Sequence, residues 1–414
     1  MGTGLPHHSV HEGPTLMDEQ AAPAGAVGHQ LALQRKLAGL TQHQLAARSH
    51  VSTSLISQVE RGVVPASPAF TAAVAGGLGI EVQTLYGQPY GPPVADPRSG
   101  IPALRAVLDH LEDPEPTGPP MTPAELRVRL DECNRNRARA RFAEMATTLP
   151  ELMAHAYLIV ADARSGAAAE TGWSLLSDTY MLAQNVTFRL GYLDLAAHAN
   201  ERWRHAAERS GDPLRPATAA SQRVQLRLNR GDYPGVQRIV ERAHTEIADQ
   251  RSPAADSVRA QLHLRQAIAH ARSGSADRAD EHITAARELI TRGVPANPYY
   301  DVIATMTNVE LHWVSVPVEL TDGTTAVGRA SQIQTPELAE PQRAGRHWID
   351  VARAWTLHGD RTQALDSLNR ARRIAPQLTR YHPQVHETVH LLAETDRRAT
   401  DSLAGFARWI GTTL

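Results

Sequence analysis

The sequence predicts an all-α protein in two parts, a small helical domain near the N-terminus and a long array of paired helices behind it. Apolar residues recur at spacings of three and four almost throughout, and no stretch alternates with the period of two that a half-buried strand needs. Glycine-led turns at Gly191-Tyr192, Gly231-Asp232, Gly274-Ser275 and Gly359-Asp360 fall roughly 40 residues apart, or twice that, the spacing of a two-helix repeat. The missing joint of the double gap is expected at a degenerate turn near Asp322-Gly323. With 414 residues, 42% of them hydrophobic, the chain is long enough for more than one packed core.

Composition narrows the classes further. A formal net charge of -2 argues against a protein that is basic throughout and binds nucleic acid in bulk. No apolar run approaches a membrane span and no charged-then-apolar leader opens the chain, so it is expected in the cytoplasm and not at a membrane. The single cysteine, Cys133, rules out an internal disulfide framework and fits a reducing compartment.

Residues 1–25 are rich in Gly, Pro, Ala and His without periodicity and are expected to be disordered. Their His7 to His11 tract reads as solvated leader or as a metal tract, and Met17 is an alternative start. The first domain is expected over residues 26–88. Thr41 and Ser52 are each placed to cap a short helix, since a hydroxyl accepts from the first free backbone N–H groups. Leu45, Ala46, Val51, Leu55, Ile56 and Val59 then supply faces that close on each other. Thr53, Ser54, Ser57 and Gln58 remain on the free face of the second helix. Short hydroxyls and an amide suit close approach to base edges in a major groove. Between Val27 and Tyr86 four basic residues, Arg35, Lys36, Arg48 and Arg61, outnumber Glu60 and Glu81.

On these residues the segment from Val27 to Tyr86 resembles the lambda-repressor and Cro-like helix-turn-helix regulators, often called Xre-like. The likeness rests on GLTQHQLA (Gly39 to Ala46), VSTSLISQVERG (Val51 to Gly62) and SPAFTAAVAGGLGIEVQTLY (Ser67 to Tyr86). It implies a five-helix lambda-repressor-like DNA-binding domain in which Gln42 holds a phosphate and Thr53, Ser54, Ser57 and Gln58 face the bases, with Arg61 counted in the same DNA-binding set. It also implies an ion pair under the motif, here Arg35 with Glu60. His50 departs from the pattern, standing in the turn where the family has glycine, the residue that most easily takes a positive φ. The alternative reading of this domain is a core that has lost DNA contact and only dimerises.

Residues 89–123 read as a proline-rich linker, within which Ile101, Leu104, Val107, Leu108 and Leu111 make one amphipathic helix for either domain or for a partner copy. Residues 124–414 are expected to form the helical array, an α-solenoid in which each pair buries its apolar face on its neighbours. Its best unit, Gly345 to Leu378, resembles the tetratricopeptide repeat through Trp348, Ala352, Trp355, Ala364, Leu368, Ala371 and Pro376. The bland reading of these aromatic and alanine positions is core packing. The terminal helix after Thr400, with Leu403, Phe406, Ala407, Trp409 and Ile410, reads as apolar enough to need a cover, where two copies could join.

His386-Glu387-Thr388-Val389-His390 spells HExxH, two imidazoles one helical turn apart with a carboxylate between them. A zinc protease needs a third protein ligand, but no glutamate follows Glu394, and the metzincin glycine and third histidine are absent after His390. Val385, Val389 and Leu392 place this helix against the solenoid core instead. Cys133, on a basic helix with Arg135, Arg137, Arg139 and Arg141, has no paired base and reads as a passive thiol. The arginines read as a solvated face or as a contact to DNA backbone. No Gly-rich phosphate loop, GxSxG or CxxC spacing occurs, so no enzyme activity, cofactor or metal is expected.

The architecture resembles the large Xre-like regulators of actinobacteria and the peptide-responsive quorum-sensing regulators of Gram-positive bacteria. It implies a transcription regulator on double-stranded DNA, with an inverted-repeat operator, a homodimer, and a peptide, small-molecule or protein effector in the solenoid groove. A protein-interaction scaffold and, remotely, a metal hydrolase using His386, Glu387 and His390 are the alternatives.

Overall fold

The computed structural model describes residues 27–90, 100–109, 116–163, 165–293, 297–301, 305–333, 340–395 and 401–412. The leader, with its histidine tract and Met17, and Leu111 lie outside them. Among the described residues every regular element is a helix.

The first unit comprises α1 (Val27–Leu37), α2 (Gln42–Ser49), α3 (Thr53–Glu60), α4 (Pro68–Leu78) and α5 (Val82–Tyr86). Thr41 and Gln44 cap α2 reciprocally, Ser52 caps α3, and Ser67 with Pro68 opens α4. The helices close on a core of Leu31, Leu45, Ile56, Val59, Val74 and Leu85. Burying such side chains contributes roughly 1.5–3 kcal/mol each, as an upper bound.

Next come α6 (Ile101–Asp109), α7 (Pro123–Ala138) and α8 (Phe142–Asp162). The apolar face of α6, Ile101, Leu104 and Leu108, is buried in the same cluster as the α8 side chains Met145 and Leu149. A Cβ on Gly100 would stand 2.2 Å from the Ala146 carbonyl oxygen. This helix is therefore a fixed part of the larger unit, and its apolar stripe is already covered within the chain.

The array continues through α9 (Gly166–Arg189) with α10 (Leu193–Arg209), α11 (Arg215–Asn229) with α12 (Tyr233–Glu246), and α13 (Pro253–Arg272) with α14 (Ala276–Ile290). After the short α15 (Pro298–Asp301) come α16 (Met306–Glu319) with α17 (Gly323–Ala330), then α18 (Pro341–His358) with α19 (Arg361–Ile374). The glycines of the four predicted joints all take positive φ. At the degenerate joint Thr321 takes the left-handed position, with φ 63, and Gly323 answers a different need. A Cβ there would lie 2.6 Å from the His358 amide nitrogen of α18.

In the best repeat Ala352, Ala364, Leu368 and Ala371 are fully buried, while Trp348 and Trp355 pack half-buried beside them. Pro376 follows the end of α19 and opens α20 (Pro376–Tyr381) at its first turn, where its missing N–H costs nothing. The chain ends in α21 (Pro383–Thr395) and α22 (Asp401–Ile410).

Two features differ from the sequence expectation. The apolar stripe of α22, which reads as a ridge in need of a partner, is covered within the chain. Leu403, Phe406, Ala407 and Ile410 are buried, and the Arg372 guanidinium lies 4.4 Å from the Trp409 ring centroid. The array also does not stay open as a groove. The Gln377 side chain, on α20, accepts from the Ala143 amide at 2.9 Å and donates to Glu144 at 3.2 Å on α8, and one apolar cluster joins α6–α10 to α18–α22. The solenoid closes into a ring.

The ring's inner helices are cross-tied by buried charges. Glu319 accepts from Arg272 and Arg353, both at 2.9 Å. Burial opposes its ionisation, yet the two guanidiniums hold its pKa at about 2. Asp178 likewise joins Arg127, at 2.7 Å, and Arg215. Such pairs fix register more than they add stability.

Because Phe406 is only 1% exposed, Phe406→Ala should lower the stability of the array by about 3–5 kcal/mol in urea unfolding. Its oligomeric state by light scattering should stay unchanged. A change of oligomer instead would show that α22 does face a partner.

Candidate nucleic-acid interface

Helices α2 and α3 present the surface that the sequence singles out. Between them His50 takes φ 54 and ψ 32, its N–H returning to the Ala46 carbonyl, so the turn keeps its left-handed angle with a side chain in place of glycine. Histidine tolerates this region better than β-branched residues do. The pairing under the motif is present and bidentate. Arg35 Nε and Nη2 donate to Glu60 at 2.6 and 2.9 Å, and Nη1 donates to the Leu40 carbonyl at 2.8 Å. Burial resists ionisation of Glu60, but hydrogen bonds from Arg35 and Gln42 overcome it and hold the carboxyl below its ordinary range.

Gln42 is thereby committed. Its side-chain amide donates to Glu60 at 2.7 Å, so in this structure it braces the ion pair that orients α3. On α3, Ser54 is exposed, and Thr53, Ser57 and Gln58 keep part of their surface open. Exposed Arg61 turns its Nε back onto the Ser57 carbonyl at 3.2 Å, a cation at a helix C-terminus.

The domain is seated on the ring through the HExxH helix, α21. The Glu387 carboxylate is buried and accepts from the amides of Val27, at 3.2 Å, and Ala66, at 2.8 Å. His386 stacks on Tyr90 with ring centroids 3.8 Å apart, and Gln384 donates to the Tyr86 hydroxyl at 3.1 Å. A Cβ on Gly62, just after α3, would collide with the Glu394 carboxylate. Across the ring, Arg230 lies 3.6 Å from Glu81 and Gly231 abuts Ala72.

These contacts account for His386 and Glu387 of the HExxH pattern. His386 Nε2 donates to the Arg380 carbonyl at 2.8 Å, which leaves Nδ1 to accept from the Thr412 hydroxyl at 3.0 Å. Burial lowers its pKa to about 4. Neither ring nitrogen nor the carboxylate is free to bind a metal.

Sequence reasoning missed the inward-facing polar residues of the ring. Of the arginine run read as a solvated face, Arg137 is only 4% exposed and donates to Asn134 and Gln342, whereas Arg135, Arg139 and Arg141 are exposed. Cys133 beside it is buried, which pushes its thiol up to about 12. Asn185 and Arg189, Gln261 and Arg265, and Gln342 and Arg346 all line one central cavity. The signal was an amide followed four residues later by an arginine on α9, α13 and α18, one face of each.

Residues 26–85 match the family described as a helix-turn-helix domain, and the N-terminal unit is such a domain. No curated protein matches the chain. Among solved structures it is similar to a point mutant of PrgX, at 11% identity over 85% of this chain and 94% of that one. The TM-score of 0.19 makes this superposition too loose to bear on fold or function.

Arg35 and Glu60 are 11% and 7% exposed at their side chains, in the range where removing one partner strands a buried charge. Arg35→Met should destabilise α1–α3 by about 3–5 kcal/mol, read as faster hydrogen exchange of their amides in the intact chain. A loss under about 1 kcal/mol would mean that the pair behaves as an exposed one.

A second expectation concerns pH. Burial lifts Glu387 from 4.5 to about 7, against the pull of the Ala66 and Val27 amides and with the Glu394 carboxylate adding to the rise. The seated domain therefore binds the proton more tightly than the released one. Seating is strongest below about 4.5 and weakens as pH rises through about 7. Exchange of the Ala66 amide, corrected for its intrinsic pH dependence, should accelerate across that window, and Glu387→Gln should flatten the response.

Proposed function

We propose that this chain is a cytoplasmic, sequence-specific transcription regulator that binds an inverted-repeat operator as a homodimer, its solenoid taking an effector. The observation that carries the reading is the helix-turn-helix unit itself, with α3 braced from below by Arg35, Glu60 and Gln42 and presenting Thr53, Ser54, Ser57 and Gln58. A hydroxyl and amide face of this kind hydrogen-bonds base edges, whereas Arg61, and Gln42 once released from Glu60, suit phosphates. One such helix reads only a few base pairs. Two copies on half-sites one helical turn apart, about 34 Å between centres, supply useful specificity.

Seating on the ring gives the solenoid a route to influence DNA binding. An effector that prefers the seated or the released arrangement shifts their populations by its difference in affinity for the two. A peptide, a small molecule or a protein partner satisfies that requirement equally. With α6 and α22 covered within the chain, the dimer contact is to be sought on other surfaces.

The reading is tested on the chain's own upstream region, scanned for an inverted repeat and used in gel shifts. Gln58→Ala should cost about 1–3 kcal/mol on the specific site and little on random DNA. Equal weakening on both would remove Gln58 from the base-reading set, and no retention of any genomic fragment by the intact protein would overturn the reading.

A further inference from the structure

We propose that the ring is a receptor for a compact polyanion, a small molecule bearing clustered phosphoryl or carboxylate groups, held by arginines in the cavity beneath the N-terminal domain. The cavity has a volume of about 220 Å³ and is walled by the inner ring helices on one side and by Pro68, Val82, Tyr86 and Gln88 of the DNA-binding unit on the other. A nucleic-acid duplex cannot enter a space of this size, whereas a metabolite can.

Charge selects the ligand class. Among the described residues six arginines line the cavity against two carboxylates, Glu319 and Asp350. Those carboxylates are already shared. Glu319 takes Arg272 and Arg353, and Asp350 takes Arg346 and Arg353. Arg343 also lies 3.6 Å from Glu340, outside the lining, and the six guanidiniums still crowd one cavity. Burial, together with repulsion from Arg346, Arg265, Arg343 and Arg137, pulls the Arg189 guanidinium down to about 9. Arg265 falls to about 9 for the same reasons. A guanidinium ordinarily stays protonated above 12, so the protein sustains mutual repulsion here that a bound anion relieves.

Hydrogen bonding points the same way. Arg189 Nε is buried without an acceptor, as is the Gln342 side-chain nitrogen, and both residues line the cavity. Buried donors are normally satisfied. Oxyanions supply several acceptors at once, and a guanidinium fork matches phosphate or carboxylate geometry. Because Gln88 and Tyr86 belong to the wall, an anion bridging the ring to this wall also favours the seated domain. The anion site itself stands independently of operator binding. Only its link to transcription rests on the regulator reading.

The test uses the intact chain without DNA. It is titrated calorimetrically with pyrophosphate and with citrate at constant ionic strength, and its thermal unfolding is followed with each. A saturating response to either probe is expected, raising the midpoint by about 5 °C at a hundredfold excess over Kd, with sodium chloride at the same ionic strength giving none. A response to pyrophosphate alone assigns a phosphoryl ligand, to citrate alone a polycarboxylate. The double variant Arg189→Gln, Arg265→Gln should unfold at a higher temperature than the parent without ligand and lose the anion response. Arg189→Lys, which keeps the charge and the fold but not the fork, should weaken binding about tenfold. No saturable response to either probe, an equal response in the variants, or a response only to an acidic peptide would overturn the proposal. Gel shifts on the same samples are scored separately, so loss of operator binding leaves the anion result standing.

Discussion

One buried carboxylate decides how the two parts of this protein sit together. Glu387 accepts from the amides of Val27 and Ala66, groups that the small domain does not satisfy internally. Val27 is the first residue of α1, where backbone donors have no intrahelical partner, and Ala66 precedes the cap of α4. A residue 360 positions away along the chain thus serves as the N-terminal cap of α1. The negative charge favours a helix N-terminus, and burial raises the energy of that charge. The two effects oppose each other, so the net strength of the contact depends on the protonation of Glu387.

The ring makes this seating possible. Had the array stayed an open superhelix, α21 and the α11–α12 turn would not face the same small domain from opposite sides. Closure comes from the packing of α18–α22 against α6–α10, with Gln377 tying α20 to α8. It also turns one face of each inner helix towards the centre, where amides and arginines stand among aliphatic side chains such as Leu228 and Leu311. The apolar driving force is met on the outer contacts between paired helices, leaving the inner face free to carry charge.

Much of this was legible in the residues. The paired helices announced themselves through glycines that take left-handed angles at Gly191, Gly231, Gly274 and Gly359, and the caps of α2, α3 and α4 through Thr41, Ser52 and Ser67. Arg35 with Glu60 followed from the resemblance, and the structure adds Gln42 to that pair. Ring closure was not legible, because it depends on a small rotation accumulated over every repeat, and no single residue encodes it. The stripe of α22 looked unpartnered for the same reason, since its partners lie on helices that only closure and the final turns bring near. Arg137 looked solvated because a charge on a basic helix usually is, and nothing local reveals that it faces a cavity. HExxH was legible as a pattern, but its bonds to Val27 and Ala66 span most of the chain.

The seat and the cavity share a wall, and that has a thermodynamic consequence. If a polyanion binds more tightly when the domain is seated, then seating must tighten the anion by the same factor. The size of this coupling is limited by what the wall contributes, a few side chains around Tyr86 and Gln88, against the larger share made by the ring's arginines. Glu387 biases the same equilibrium from the other end of the contact, through its proton. On the proposed reading, two inputs, one anionic and one protonic, would act on the same seating of the domain on its ring. Neither would need to touch α3 to alter how the domain carrying α3 is held.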